Sequence, residues 1–232
     1  NTEIVRIEPP CGSNTAILRS GGETLFVDSG YALYRNEMLK LFRDLIPEYD
    51  QMKKRILVTH ADVDHCGLLP LFDEILTSRK TKDCFELEHK GENGYREQNP
   101  LHRPYVNICK ALTFYLPPDP WKVKALWDTA SEQTEPLEQM GFFDFGEMHF
   151  EVYQGKGGHL PGETVLIDYN HHIAFTGDIY VNVHGMTREQ AAYNKYAPVL
   201  MTSVDTDPLL CTAERNAVTQ RLGAGSWKIF GA

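Results

Sequence analysis

The chain has 232 residues, and its 23 Lys and Arg against 32 Asp and Glu give a formal charge of −9 at pH 7. A chain this acidic offers little to neutralise a phosphate backbone, so nucleic acid and anionic membrane surfaces are not expected partners, and no apolar run reaches the length of a membrane span. At this length folding buries roughly 70–75% of the unfolded surface, enough for one core without disulfides.

In chain order, the first twenty residues have no apolar stretch behind a basic start, so no signal peptide is read there. The five cysteines are odd in number and form no CxxC, which reads as reduced thiols in a cytoplasmic protein. Residues 15–19 and 24–28 are short apolar runs joined by Ser20-Gly21-Gly22, a β-hairpin whose second strand ends at Asp28-Ser29-Gly30. Met38, Leu39, Phe42, Leu45 and Ile46 recur at helical spacing over residues 35–46, stopped by Pro47. Residues 55–60 form a β-branched run suited to a buried strand, and residues 68–76 read as a helix with Pro70 in its first turn. This alternation is the rhythm of a layered α/β domain.

Residues 80–130 carry five prolines, mixed charges and several aromatics, and read as an irregular excursion: either padding on the core or a lid or pocket wall. Strands resume from residue 142. Residues 163–178 contain a hairpin with His171 and His172 in its turn, where exposure is the reading rather than metal binding. Residues 187–197 look helical. Asp207-Pro208 reads as N-cap and N1 of a helix running to Leu222, with Gly223 just past its end, and a last strand closes the chain at residues 226–232.

The residues that carry chemistry are His60, Asp62, Asp64 and His65, on the loop leaving a predicted strand. Sheets of this class place their sites at such strand ends, and imidazole with carboxylate suits Zn, Fe or Mn. Alternatively, Asp62 and Asp64 cap the following helix and the histidines simply pack. Two later features add to the pattern. His159 lies in Gly157-Gly158-His159-Leu160-Pro161-Gly162, and Asp178 ends a strand in Phe175-Thr176-Gly177-Asp178. Cys66 reads as a small buried residue at a helix start.

In this order these motifs resemble the metallo-β-lactamase-fold hydrolases, whose pattern is HxHxDH after a strand, a GHxPG-type His, a TGD-type Asp and a last His after a late strand. The resemblance covers most of the chain except about residues 80–135, which it leaves as an insertion or lid within a single domain. It implies an αββα four-layer sandwich holding two divalent metal ions, Zn first, with Fe or Mn as alternatives. Residue by residue it implies His60, Asp62 and His159 on one metal, Asp64 and His65 on the other, and Asp178 bridging, with Asp64 also orienting the nucleophile. Asp62 stands where most members have His, which makes the site more negative, acidifies its water less and moves preference toward Fe or Mn. The family's final His has no counterpart up to Ala232 and is expected beyond it, with His184 as a possible substitute. The implied activity is hydrolysis of a small-molecule ester, thioester or lactone, nearest the hydroxyacylglutathione hydrolase branch. A di-iron redox protein of the flavodiiron type and a non-catalytic scaffold are the alternatives. Oligomeric state stays open.

Overall fold

The computed structural model describes residues 1–9, 13–128, 133–180, 188 and 205–231. Eleven strands among them form two sheets. The first sheet runs β1 (Glu3–Ile7), β2 (Thr15–Ser20), β3 (Glu23–Val27), β4 (Arg55–Leu57), β5 (Glu74–Ser78), β6 (Val123–Trp127), in that spatial order. Its first three strands are antiparallel and the rest parallel. The β2–β3 hairpin turns on Gly21 and Gly22, both at positive φ, the backbone that a two-residue turn of matching twist requires. The second sheet holds β7 (Leu137–Phe145), β8 (Met148–Gly155), β9 (Thr164–Asp168), β10 (Ile173–Gly177) and β11 (Lys228–Gly231), ordered β11-β10-β9-β8-β7.

Strand alternation sorts the side chains into three apolar layers. Ile17, Phe26, Ile56 and Ile75 lie in register on one face of the first sheet, against Met38 and Phe42 of helix α1 (Arg35–Leu45) and Cys84 and Phe85 of α3 (Arg79–His89). Leu18, Leu25, Leu57 and Leu76 point the other way, onto Phe150, Leu166 and Phe175 of the second sheet. The outer face of that sheet, with Tyr153, Val165 and Ile167, takes Val218 and Leu222 of α6 (Pro208–Leu222). Helix, sheet, sheet, helix is the αββα sandwich.

The hairpin, α1 and α6 with its Asp207 cap stand where the sequence places them. Others differ. The strand read over residues 55–60 pairs only at Arg55–Leu57. Residues 68–76 do not form a helix: after α2 (Val63–Cys66) and a 3-10 turn at Leu69–Leu71, Glu74–Ser78 is a fully buried strand between two parallel neighbours. Such a run is buried on both faces, so it lacks the in/out alternation that separates strand from helix. Residues 80–130 are mostly regular, holding α3, α4 (Tyr95–Gln98), α5 (Arg103–Leu112) and β6. The helix read over residues 187–197 falls outside the described residues apart from Arg188, and His184 and Cys11 lie outside them entirely.

Candidate metal centre

The loop after β4 carries His60 and Asp62 and runs straight into α2, which carries Asp64 and His65. The loop between β8 and β9 supplies His159, and the end of β10 supplies Asp178. All six residues expected from the sequence converge, in two groups sharing Asp178: His60, Asp62, His159 and Asp178, and Asp64, His65 and Asp178. The helix-capping alternative fails for Asp62. It occupies the N-cap position of α2, yet its side chain makes no cap bond.

Each imidazole is held by its Nδ1 and aims its Nε2 inward. His65 Nδ1 donates to Asp28 Oδ2 at 2.8 Å, and His159 Nδ1 donates to Asp205 Oδ1 at 2.7 Å. His60 Nδ1 lies 2.9 Å from Thr59 Oγ1, whose hydroxyl donates to the same Asp28 Oδ2 at 2.8 Å, with Glu163 Oε1 3.5 Å away. Carboxylates behind the histidines fix the tautomer a metal needs and raise ligand basicity. Asp28 itself sits at φ 54°, a left-handed backbone that Asp tolerates better than most residues. Its Oδ1 accepts from Thr59 N at 2.8 Å, tying the end of β3 to the loop after β4.

The geometry fits divalent cations. Four ligands about 2.1 Å from a tetrahedral centre stand about 3.4 Å apart. In the first group, Asp62 Oδ2 is 3.7 Å from His60 Nε2 and 3.2 Å from His159 Nε2, and His159 Nε2 is 3.3 Å from Asp178 Oδ2. In the second, His65 Nε2 lies 3.1 Å from Asp178 Oδ1 and 3.8 Å from Asp64 Oδ2. Among the described residues buried His60 Nε2 has no hydrogen-bond partner, a cost that a metal at that position removes.

The charges reinforce one another. Burial opposes the charged form of His65 and His159, but Asp178, Asp28 and Asp64 around the one, and Glu163, Asp205 and Asp62 around the other, hold both well above the ordinary range. Burial likewise opposes ionisation of Asp178, and His65 and His159 hold it low. Asp64 is pushed up by burial, with His65 pulling the other way.

Residues that the sequence did not single out do much of the holding. Glu163 Oε1 accepts from Asp178 N at 2.6 Å and Ile179 N at 3.2 Å, shaping the loop after β10. Glu214 of α6 accepts from Gly157 N and Gly158 N at 2.9 and 2.8 Å. A Cβ on Gly158 would stand 2.2 Å from Cys211 N, so only glycine lets α6 come this close behind His159. Most unexpected is Arg96 of α4, buried at 6% exposure. Its Nε donates to Asp62 Oδ1 at 2.9 Å, its Nη2 donates to Asp62 Oδ2, and the same Nη2 is 3.1 Å from His159 Nε2. Burial alone would raise the Asp62 carboxyl, but Arg96 holds it well below its usual range. The extra negative charge expected from Asp62 is therefore offset. Arg96 lies in the mixed-charge stretch with no motif around it, and no sequence signal marked it. Cys66 is buried, with its thiol donating to Asp62 O, a structural role.

Residues 9–189 match the family model described as the metallo-beta-lactamase superfamily. No curated protein matches the chain. Solved structures of similar architecture include the BLEG-1 B3 metallo-beta-lactamase, at 18% identity and TM-score 0.54 over 95% of this chain and 87% of that one. AidC, a dizinc quorum-quenching lactonase, gives 19% and 0.55 over 94% and 71%. Rubredoxin oxygen:oxidoreductase from Desulfovibrio gigas gives 16% and 0.55 over 94% and 47%. At these identities the likeness bears on the fold alone.

Proposed function

Because the chain belongs to the metallo-beta-lactamase superfamily, we propose that it is a binuclear metallohydrolase acting on an ester, thioester or lactone of a small molecule. The observation that carries this reading is the set of three imidazoles, each fixed at Nδ1 and each turning Nε2 toward Asp62, Asp64 and Asp178. His60, Asp62, His159 and Asp178 would hold one ion, and Asp64, His65 and Asp178 the other. Zn comes first, with Fe and Mn compatible with the same donors. Bound there, divalent ions supply Lewis acidity that polarises a carbonyl and makes water nucleophilic at neutral pH.

The remaining work falls to the chain itself. Asp178 reaches both groups with different oxygens, 3.1 Å to His65 and 3.3 Å to His159, and so sets their spacing. Asp64, at the open side of the cluster, orients the attacking water by accepting its hydrogen bond. Asp28 keeps the proton on Nδ1 of His65 directly and on Nδ1 of His60 through the Thr59 hydroxyl. For selection, α5 presents Tyr105, Ile108 and Leu112 to solvent, an apolar wall suited to an uncharged acyl portion, and Tyr105 lies within electrostatic reach of Asp64 and Asp62.

The test is metal analysis of protein purified without chelator, followed by a panel of esters, thioesters and lactones. About two equivalents of a transition metal and turnover of at least one substrate class are expected. Asp178→Ala should cut turnover by more than about 100-fold, beyond what losing an outer partner costs. Less than about half an equivalent of any transition metal would sink the reading, since such sites are filled at the expense of protons on their ligands. Asp62 supports a second reading, a di-iron redox protein. Two irons with O₂ or NO reduction and no hydrolysis would select it.

A further inference from the structure

Arg96 brings a fixed positive charge into direct contact with two of the four side chains assigned above to the first metal. Its guanidinium grips both oxygens of Asp62, through Nε at 2.9 Å and through Nη2, and Nη2 also stands 3.1 Å from His159 Nε2. An imidazole Nε2 has one lone pair. In the neutral form a metal requires, with its proton on Nδ1 toward Asp205, His159 has that lone pair facing the Arg96 N–H and cannot ligate a cation at the same time. The fork-on-carboxylate contact is also the strongest kind of ion pair a protein makes. The second group differs. Among the described residues no Lys or Arg reaches Asp64, His65 or Asp178 within salt-bridge distance.

The backbone that delivers Arg96 is firmly held. Its helix neighbour Glu97 pairs with Lys110 of α5, and Lys110 also binds Glu88 of α3 at 2.6 Å. Tyr115 adds a hydrogen bond to Glu88 at 2.6 Å, and Arg103 Nε donates to Glu97 O at 2.8 Å. Gly94, just ahead of α4, has no room for a side chain, because a Cβ would stand 2.7 Å from Glu88 Oε1 and 2.9 Å from Glu97 Oε2. Within this held frame, buried Arg96 Nη1 has no hydrogen-bond partner among the described residues.

We propose that Arg96 is a built-in competitor for the first metal position, so that the two positions load unequally. The Asp64–His65–Asp178 position takes a divalent cation first. The His60–Asp62–His159 position fills only when the guanidinium rotates away, because Arg96 occupies both Asp62 oxygens and the His159 Nε2 lone pair and its charge opposes a cation there. This inference rests on the metallohydrolase reading and adds to it a residue that sets stoichiometry and loading order.

The experiment is stepwise titration of chelator-stripped protein with Zn²⁺ alone, against a competing chromophoric chelator. In the unaltered chain the second equivalent should bind at least about 100-fold more weakly than the first. Arg96→Gln should shrink that gap below about tenfold. Arg96→Lys, which keeps the charge and loses the fork, should fall between. Thermal unfolding of each stripped variant establishes that it is folded, and if Arg96→Gln fails to fold, a narrowed gap in Arg96→Lys carries the test. Two equivalents bound within tenfold of each other by the unaltered chain, or an unchanged gap in the variants, would overturn the role of Arg96 and leave the hydrolase reading standing. No Zn²⁺ binding at all would overturn both.

Discussion

On the first sheet one carboxylate governs two imidazoles, whereas on the second sheet each converging side chain has a brace of its own. Asp28 bonds His65 directly and reaches His60 through the Thr59 hydroxyl, all within the ends of β3 and β4 and the start of α2. Across the site, His159 is held by Asp205, its glycine loop by Glu214, and the Asp178 loop by Glu163. The first arrangement is economical and vulnerable, because one substitution reaches two imidazoles. The second spreads the load over residues far apart in sequence. Arg96 touches both halves, and it is the described cation bonded to these ligands.

The largest effect expected from this contrast separates Asp28→Asn from Asp205→Asn. Asn also tolerates the left-handed backbone at position 28, so the change is chemical rather than conformational. If its amide oxygen keeps the Thr59 N–H, its NH₂ faces His65 Nδ1 and the Thr59 hydroxyl. Both then lose an acceptor, and His65 is driven toward the tautomer with its proton on Nε2. Losing one outer partner costs about 10–100-fold in metal affinity, so losing control of two imidazoles should cost about 10³-fold or more. In Asp205→Asn the amide oxygen can still accept from His159 Nδ1, and its NH₂ replaces an oxygen without a partner among the described residues. That variant should lose only about tenfold. Zn²⁺ affinities of the two stripped proteins decide it. Equal losses would mean that the Thr59 relay carries no weight.

The same contrast explains what could be read from the chain beforehand. His60, Asp62, Asp64 and His65 stand within six residues, His159 lies in a glycine-rich loop and Asp178 directly follows a strand, so local pattern is enough to find the residues that converge. The braces carry no such pattern. Asp205 stands in a run where Asp207 reads as a helix cap, which it also is, and the nearby carboxylate has meaning only once α6 packs behind His159. Arg96 was invisible for a stronger reason: its partner lies 34 residues earlier, and α3, α4 and α5 must all form before the two meet. The misread strand β5 failed at the level of periodicity, since Glu74–Ser78 is buried on both faces and alternation is erased.

Glu214 offers a way to sharpen the second half of the comparison through pH. Burial raises its carboxyl to about 7, despite the N–H groups of Gly158 and Gly157 that favour the anion. Relative to its ordinary value of 4.5, the folded chain holds this proton where the unfolded chain has released it. The stabilising contribution is therefore complete below about pH 4.5 and is lost as pH rises through 7. A shift of this size corresponds to about 3 kcal/mol. Glu214→Gln keeps the acceptor for both glycines and removes the titration. In metal-free protein, unfolding free energy between pH 5 and pH 8 should fall by about 2–3 kcal/mol more in the unaltered chain than in the variant. Parallel curves would show that this brace does not hold its proton.

The smallest effect tests whether bracing the fold and bracing the site are separable on this side. Asp207 caps α6 with Oδ1, accepting from Leu209 N at 3.1 Å and Leu210 N at 3.0 Å at an exposed helix start. Replacing a cap of this kind by Ala costs about 1 kcal/mol. The contacts that tie this turn to the His159 loop are made by other atoms: Asp207 N donates to Gly158 O at 2.8 Å, and Thr206 N to His159 O at 3.1 Å. Alanine keeps both. Asp207→Ala should thus lower the melting temperature while leaving Zn²⁺ affinity within about twofold, because no atom behind an imidazole has changed. A tenfold loss of affinity would instead place the cap among the groups that hold His159, and the second half of the site would then depend on the end of α6 as well as on its side chains.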